Sequence, residues 1–316
     1  MHPRDVATTR DELPAPLPDL FTVGRARALG VAEGRLRAAD LGRPCRGTRS
    51  RDLTPDLTQR LRALTLVLPA SAVFSHDTAA APLRLPLPLA ASASPGHERE
   101  LVHVMTTPGS PRVVRTGVVG HRGAPFEIVT VAGLRVNGPA ATLVDLAATW
   151  ALEDLVAAGD VILNWAAARQ IASKGETVRD GVHELTRVVE SAVNRRGVRT
   201  LRRALPLMRV GARSAMESRA RLIMLRGGLP QPELHADVHD HCGEWLATPD
   251  FLWRKARVLA EFQRDHHRTD RAQWMSDIVR WRRLQEADWR VVLLTADDVL
   301  RHPDRLVGSV RAALGR

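Results

Sequence analysis

The chain has 316 residues, 44% of them hydrophobic and 26% charged, and a formal net charge of +11. That length suits two or three domains with real apolar cores, while its longest apolar stretches fall well short of the roughly 20 residues a membrane-spanning helix needs. Cys45 and Cys242 are far apart, with no CxxC or Cys/His cluster, which argues against a disulfide framework or structural zinc ribbon and fits a reducing cytoplasm.

The first twenty residues are rich in proline and acids and read as a loose arm. Thr22 then caps a short helix ending near Leu29, Gly30 breaks it, and a second short helix is expected over Ala32–Asp40. Phe21, Ala26, Leu29, Val31, Leu36 and Leu41 supply a small core, and 44–51 a wing strand with its turn. Two short helices about a glycine turn give helix-turn-helix geometry. In that reading Arg35 and Arg37 face outward as DNA-binding residues while Leu36 is buried.

A helix is expected over 56–68, another over 71–83, strands at 101–106, 113–120 and 128–136, and helices over 140–148 and 152–168. His76, His103 and His121 lack ligand-like spacing, and each reads as an ordinary core or surface histidine. From Gly175 to Leu207 the chain is helical and strongly basic. Between Arg187 and Arg226 there are eleven arginines against two acids, Glu190 and Glu217. Such an excess suits a polyanion, because each neutralised phosphate releases counterions; a solvated helical face is the other reading.

The last third carries the chemistry. Ser214 caps a helix that Gly227-Gly228 stops, with Met216, Ala220, Ile223 and Met224 as its apolar stripe and Glu217 at the border. Strands are expected at 234–238, 245–253 and 258–262, the last two joined by a four-residue loop. With Trp253 opposite Val258, Asp250 falls opposite Glu261, on one face and about 5 Å apart at Cβ. Two facing carboxylates repel unless a cation lies between them, and with Glu217 they would form an oxygen-rich shell suited to Mg²⁺. Neutralisation by arginine is the alternative, and a one-residue slip would send the pair to opposite faces.

The segments TPDFLWRKARVLAEFQRDHHRTD and SDIVRWRRLQEADWRVVLLT resemble the very-short-patch-repair (Vsr-like) endonuclease group of the PD-(D/E)xK superfamily, over about Ser214–Asp297. The resemblance implies Asp250 and Glu261 as ligands of Mg²⁺ (or Mn²⁺), Glu217 as an assisting acid, and His267, beside His266, as the acid–base residue. The superfamily's lysine, two residues after the second acid, is replaced by Gln263, and Arg264 stands where relatives carry glycine. Glutamine orients a water but accepts no proton, so metal binding survives this change more readily than catalysis. Farther forward, LFTVGRARALGV, FSHDTAA and LRVNGPAATLVDLA resemble the AbiEi family, antitoxins of type IV toxin–antitoxin systems, over about Leu20–Trp150. That likeness implies operator DNA and a cognate toxin protein as partners.

The expected architecture is α+β / α/β, in four parts. Residues 1–52 form a winged helix-turn-helix with its arm, 53–170 an antitoxin-like α+β domain, and 171–212 a basic helical connector. Residues 213–316 form a restriction-endonuclease-like mixed sheet flanked by helices. The expected function is a cytoplasmic, DNA-binding endonuclease in which Glu217, Asp250, Glu261, Gln263 and His267 serve catalysis and Arg264, Arg268 and Arg271 grip phosphates. The alternative is an antitoxin-like transcriptional regulator whose nuclease-like domain is inactive.

Overall fold

The computed structural model describes residues 12–88, 101–123, 127–173, 178–263 and 271–315. They divide into two compact units: one takes the described residues up to Arg84 and from 101 to Thr142, the other 85–88 and those from Leu143 onward. Residues 143–212, expected as part of a central domain and a connector, fall in the second unit. Both units mix helices with sheets, and among the described residues no helix is long and apolar enough to cross a membrane.

The first unit opens with β1 (Leu20–Thr22), α1 (Val23–Ala28), α2 (Glu33–Leu36) and β2 (Thr48–Ser50). The Thr22 hydroxyl caps α1 by accepting from the Arg25 N–H at 3.1 Å. β2 pairs antiparallel with β1, over a core of Phe21, Ala26, Leu36 and Leu41 joined by Leu13 and Leu17. The second helix is shorter than expected. Arg35 does not face outward: its side chain is 12% exposed and forks onto Asp40 at 2.9 and 3.0 Å. Arg37, by contrast, is 75% exposed.

After α3 (Leu57–Thr65), the segment expected as one helix over 71–83 splits into β3 (Ala72–Phe74) and α4 (His76–Ala80). Val73 and Phe74 are buried, and Phe74 lies between Val104 and Val136 of its neighbouring strands; a sheet centre suits these β-formers better than a helix. β4 (Val102–Thr106), β5 (Val118–Arg122), β6 (Ile128–Val131) and β7 (Leu134–Asn137) complete a sheet of order β5-β4-β3-β7-β6. The strand expected at 128–136 is in fact the β6–β7 hairpin, turning at Ala132 and Gly133, which take φ of +50° and +80°.

The helix α5 (Pro139–Leu146) carries the chain into the second unit, which continues with α6 (Leu152–Ser173), α7 (Val178–Ser191), α8 (Val198–Ala204) and α9 (Ala215–Arg226). Next come β8 (Glu233–Leu234), β9 (Val238–His239), β10 (Trp245–Ala247), β11 (Phe251–Trp253) and β12 (Val258–Phe262). The helix α10 (Arg271–Glu286) leads to β13 (Arg290–Leu294), and α11 (Ala296–Leu300) and α12 (Pro303–Ala313) finish the chain. Pro249, which has no N–H to give a ladder, lies in the gap that divides the long strand expected at 245–253 into β10 and β11.

The main sheet runs β13-β12-β11-β8, antiparallel except for the parallel β12–β13 pair that α10 connects. On one face Phe251, Trp253, Val258 and Ala260 pack with Ala220 and Met224 of α9 and with Leu306 and Val310 of α12. On the other, Leu252 and Leu259 pack with Leu284 of α10 and with Trp289.

The side of α9 turned from the sheet is polar yet buried. Arg221 is fully buried and donates to Asp160 of α6 at 2.8 Å. Asp160 also accepts from the Ser218 hydroxyl and the Arg209 N–H, both at 2.7 Å. Burial pushes its carboxyl above the usual range, and Arg221 opposes that shift. Arg219 and Arg226 pair with Asp154 and Glu153 of the same helix, and Arg195 with Asp145. Part of the arginine excess over 187–226 therefore answers acids within the unit.

Arg221→Met should cost about 3–5 kcal/mol in urea unfolding, because it strands a buried charge. The deficit should shrink at low pH, where Asp160 takes a proton. Asp160→Asn/Arg221→Met should recover most of it; a double variant as unstable as the single one would show that guanidinium packing, not the stranded charge, sets the cost.

Candidate functional site

Glu217 sits in the first turn of α9 because Ser214 starts the helix there: the Ser214 hydroxyl accepts from the Glu217 N–H at 3.2 Å and donates to Glu217 Oε1 at 3.0 Å. Glu217 Oε2 accepts from the Arg213 N–H and meets His235 Nε2, each at 2.8 Å. His235 Nε2 also lies 3.6 Å from Asp250 Oδ1. One ligand atom from each of Glu217, His235 and Asp250 therefore lies within 4.8 Å of the other two.

Register explains the meeting. β11 pairs with β8 through Phe251 and Leu234, so one step farther His235 comes opposite Asp250, and the His235 N–H reaches the Asp250 carbonyl at 3.4 Å. On its other side β11 pairs with β12 through Phe251–Ala260 and Trp253–Val258, which extends to Asp250 opposite Glu261. Asp250 Oδ2 accepts from the Phe262 N–H at 2.8 Å.

The carboxylates part company in their partners. Glu261 is buried and bound by Arg280 of α10 at 3.0 Å, and it is not one of the group around His235. Burial pushes its carboxyl above the ordinary range, Arg280 opposes this, and the Asp250 charge adds to it. Burial also acts upward on Glu217, but hydrogen bonds from His235, the Arg213 N–H and Ser214, with the His235 charge, bring it below the ordinary range.

His235 is the residue that the sequence reading missed. Its backbone is held at φ +45°, a left-handed conformation that costs a side-chain-bearing residue roughly 1–2 kcal/mol. Its ring is 8% exposed, and Nδ1 is buried with no hydrogen-bond partner. The hairpin formed by the strands expected at 234–238 and 245–253 would have brought it into view only with a correction. Between Trp245–His239 and Ala247–Val238 the ladder slips by one residue, and that bulge puts His235, rather than Leu234, across from Asp250.

Of the other expected residues, Gln263 is exposed just beyond β12, its N–H donating to the Leu294 carbonyl at 2.7 Å. Arg271 is the first residue of α10. Arg264, His266, His267 and Arg268 lie outside the described residues.

Two proteins of Mycobacterium tuberculosis are similar to this chain: uncharacterized protein MT2308 of strain CDC 1551 / Oshkosh and uncharacterized protein Rv2248 of strain ATCC 25618 / H37Rv. Each is 31% identical over 262 residues, which is 83% of this chain and 88% of the relative. The chain belongs to their family. A match of 262 residues is longer than either compact unit, so the likeness reaches into both. No protein-family model matches the chain, and no solved structure matches it significantly.

Glu217 and Glu261 should respond oppositely to pH in chelator-treated protein. The depressed Glu217 contributes stability above about pH 4.3, the free carboxyl value, and that is lost as pH falls through its folded value. The raised Glu261 makes the native state lose stability as pH rises from about 4.3 through its folded value. Relative to wild type, the melting temperature of Glu217→Gln should therefore fall with rising pH and that of Glu261→Gln should rise. Parallel trends would refute the charge assignment.

Proposed function

We propose that this protein binds DNA and that its second unit is a Vsr-like, PD-(D/E)xK-type endonuclease domain dependent on a divalent metal. The reading rests on the convergence of Glu217, His235 and Asp250, with Glu261 on the adjoining strand. The element order also favours it: a helix, an antiparallel three-stranded meander, a crossover helix and a parallel fourth strand agree with the mixed sheet that the sequence resemblance implies.

His235 Nε2, which faces both carboxylates, and the carboxylates themselves suit a cation. An imidazole beside oxygen donors favours Mn²⁺ over Mg²⁺, which prefers an all-oxygen shell. Asp250 and Glu217 would hold the ion, with His235 as the third donor, and Glu261 would join once its link to Arg280 opened. Bound there, the metal would polarise a phosphodiester and lower the pKa of its water. Arg280 would then be released toward phosphate oxygens, and His267 would carry the proton.

The regulator reading has its own support. Arg280 already neutralises Glu261, the Ser214 and Arg213 bonds already hold Glu217 as a helix cap, and Gln263 replaces the lysine. On that reading the first unit's helix-turn-helix would bind operator DNA and a toxin would be the protein partner.

For DNA binding, Arg37→Glu should weaken duplex affinity and reduce the slope of log affinity against log salt by about 1. Arg35→Ala should instead destabilise the first unit by breaking the fork onto Asp40. Equal loss of affinity without destabilisation in both would mean that Arg35 reaches DNA after all.

For catalysis, a supercoiled plasmid should be nicked faster with Mn²⁺ than with Mg²⁺. Asp250→Ala and Glu261→Ala should abolish nicking, and Mn²⁺ at 100 times its dissociation constant should stabilise wild type by about 2.7 kcal/mol. Wild type that neither nicks nor gains stability from either metal, yet binds duplex DNA, would leave the regulator reading in its place.

A further inference from the structure

Three histidines with no ligand-like spacing in the sequence come together in the first unit. His76 begins α4, His103 lies in β4 and His121 in β5. β4 and β5 are parallel, with His103 beside Val119 and Met105 beside His121, so the two histidines occupy diagonal positions on one face of the sheet. β3 runs antiparallel to β4, and the Ser75 N–H donates to the His103 carbonyl at 3.1 Å, which delivers the next residue, His76, to the same place.

The rings are close. His76 stacks on His121 with centroids 3.9 Å apart, and the other two pairs lie at 5.1 and 5.3 Å. His103 Nδ1 and His121 Nε2 are 3.0 Å apart, and one ring nitrogen from each histidine lies within 4.8 Å of the others. The His76 backbone is held at φ +51°, a strained conformation of the kind that gathers at functional sites.

We propose that His76, His103 and His121 form a binding site for a late first-row transition-metal ion such as Zn²⁺. The group offers only imidazole nitrogens as ligand atoms, and neutral imidazole is a good donor to such an ion. A tetrahedral Zn²⁺ with Zn–N bonds of about 2.0–2.1 Å sets its nitrogens about 3.3 Å apart. The 3.0 Å pair, hydrogen-bonded in this structure, is near that spacing; loss of the shared proton and rotation about χ1 and χ2 would turn these nitrogens and the third ring toward the ion. Three nitrogen donors without oxygen select late transition metals over Mg²⁺ and Ca²⁺. Two of the ligands stand on paired strands, a rigid base for a preorganised site. Ser75 Oγ, 3.0 Å from His76 Nδ1, orients the third ring.

Three protein ligands leave a tetrahedral ion one open position. A pocket of about 490 Å³ lined by Arg112, Gly120, His121 and Arg122 borders the cluster. Water or a small anion could reach the metal through it, with the two guanidinium groups favouring the anion. This site is separate from the carboxylate group of the second unit and does not depend on the function proposed there.

The test uses untagged, chelator-stripped full-length protein titrated with Co²⁺ in excess Mg²⁺. Wild type should develop the visible absorption of nitrogen-ligated Co²⁺ without a thiolate charge-transfer band. His103→Ala and His121→Ala should each weaken Co²⁺ binding at least tenfold, since loss of outer-shell partners alone costs about 10–100-fold. Because Asp250 belongs to the other candidate metal group, each titration is repeated in an Asp250→Asn background, where the histidine-dependent absorption should persist. As a check that needs no variant, histidine carbethoxylation of wild type should be mapped by mass spectrometry with and without Zn²⁺, which should protect His76, His103 and His121. Wild type that takes up no Co²⁺, binding in the Asp250→Asn background that survives both alanine variants, or three histidines modified equally with and without Zn²⁺ would each overturn the proposal.

Discussion

The second unit is organised around a fully buried ion pair. Arg221 and Asp160 are out of water, and a charge in that position is tolerable only when its partner and its remaining hydrogen bonds are in place. Ser218 and the Arg209 N–H supply those bonds to Asp160, while the Leu207 carbonyl accepts from Arg221 at 2.8 Å. The pair therefore fixes α9 against α6 in rotation as well as position, since a turned helix would leave both charges unanswered. With α9 fixed, Ala220 and Met224 meet the sheet and Glu217 is delivered to His235.

The candidate site is under a different constraint. In the ion pair each charge has its counter-charge and further hydrogen bonds, although Arg221 Nε is buried without a partner, while at the sheet edge an imidazole is held in a strained backbone conformation with one buried nitrogen unanswered. The buried carboxylates there also diverge, Glu217 lowered by its donors and Glu261 raised by burial and by Asp250. Neighbouring acids with separated proton affinities are what metal or acid–base chemistry uses. Arg280 holds Glu261 in this arrangement.

Net charge proved a blunt guide. The +11 excess suggests a polyanion-binding run over 187–226, but Arg195, Arg219, Arg221 and Arg226 pair with acids that lie earlier in the chain. Counting charges along a segment treats each as free, and folding brings distant acids alongside. Arg187, Arg196, Arg199, Arg202, Arg203, Arg209 and Arg213 remain exposed and keep their reach toward solvent.

Local chemistry settled much in the sequence. The Thr22 and Ser214 caps, the stripe of α9, the core residues Phe21, Ala26, Leu36 and Leu41, and the Trp253–Val258 register follow from neighbours a few residues apart, where periodicity and turn length leave little freedom. Tertiary structure decided what depended on distant segments. It drew Arg35 onto Asp40, turned Val73 and Phe74 into the middle of a sheet, and brought His76, His103 and His121 together from spacings that showed no pattern. A one-residue bulge at Trp245–Ala247 put His235 opposite Asp250. Side chains in a strand alternate with a period of two, so a single slip exchanges the residue that faces a site, and the choice is made by which ladder packs better rather than by either strand alone.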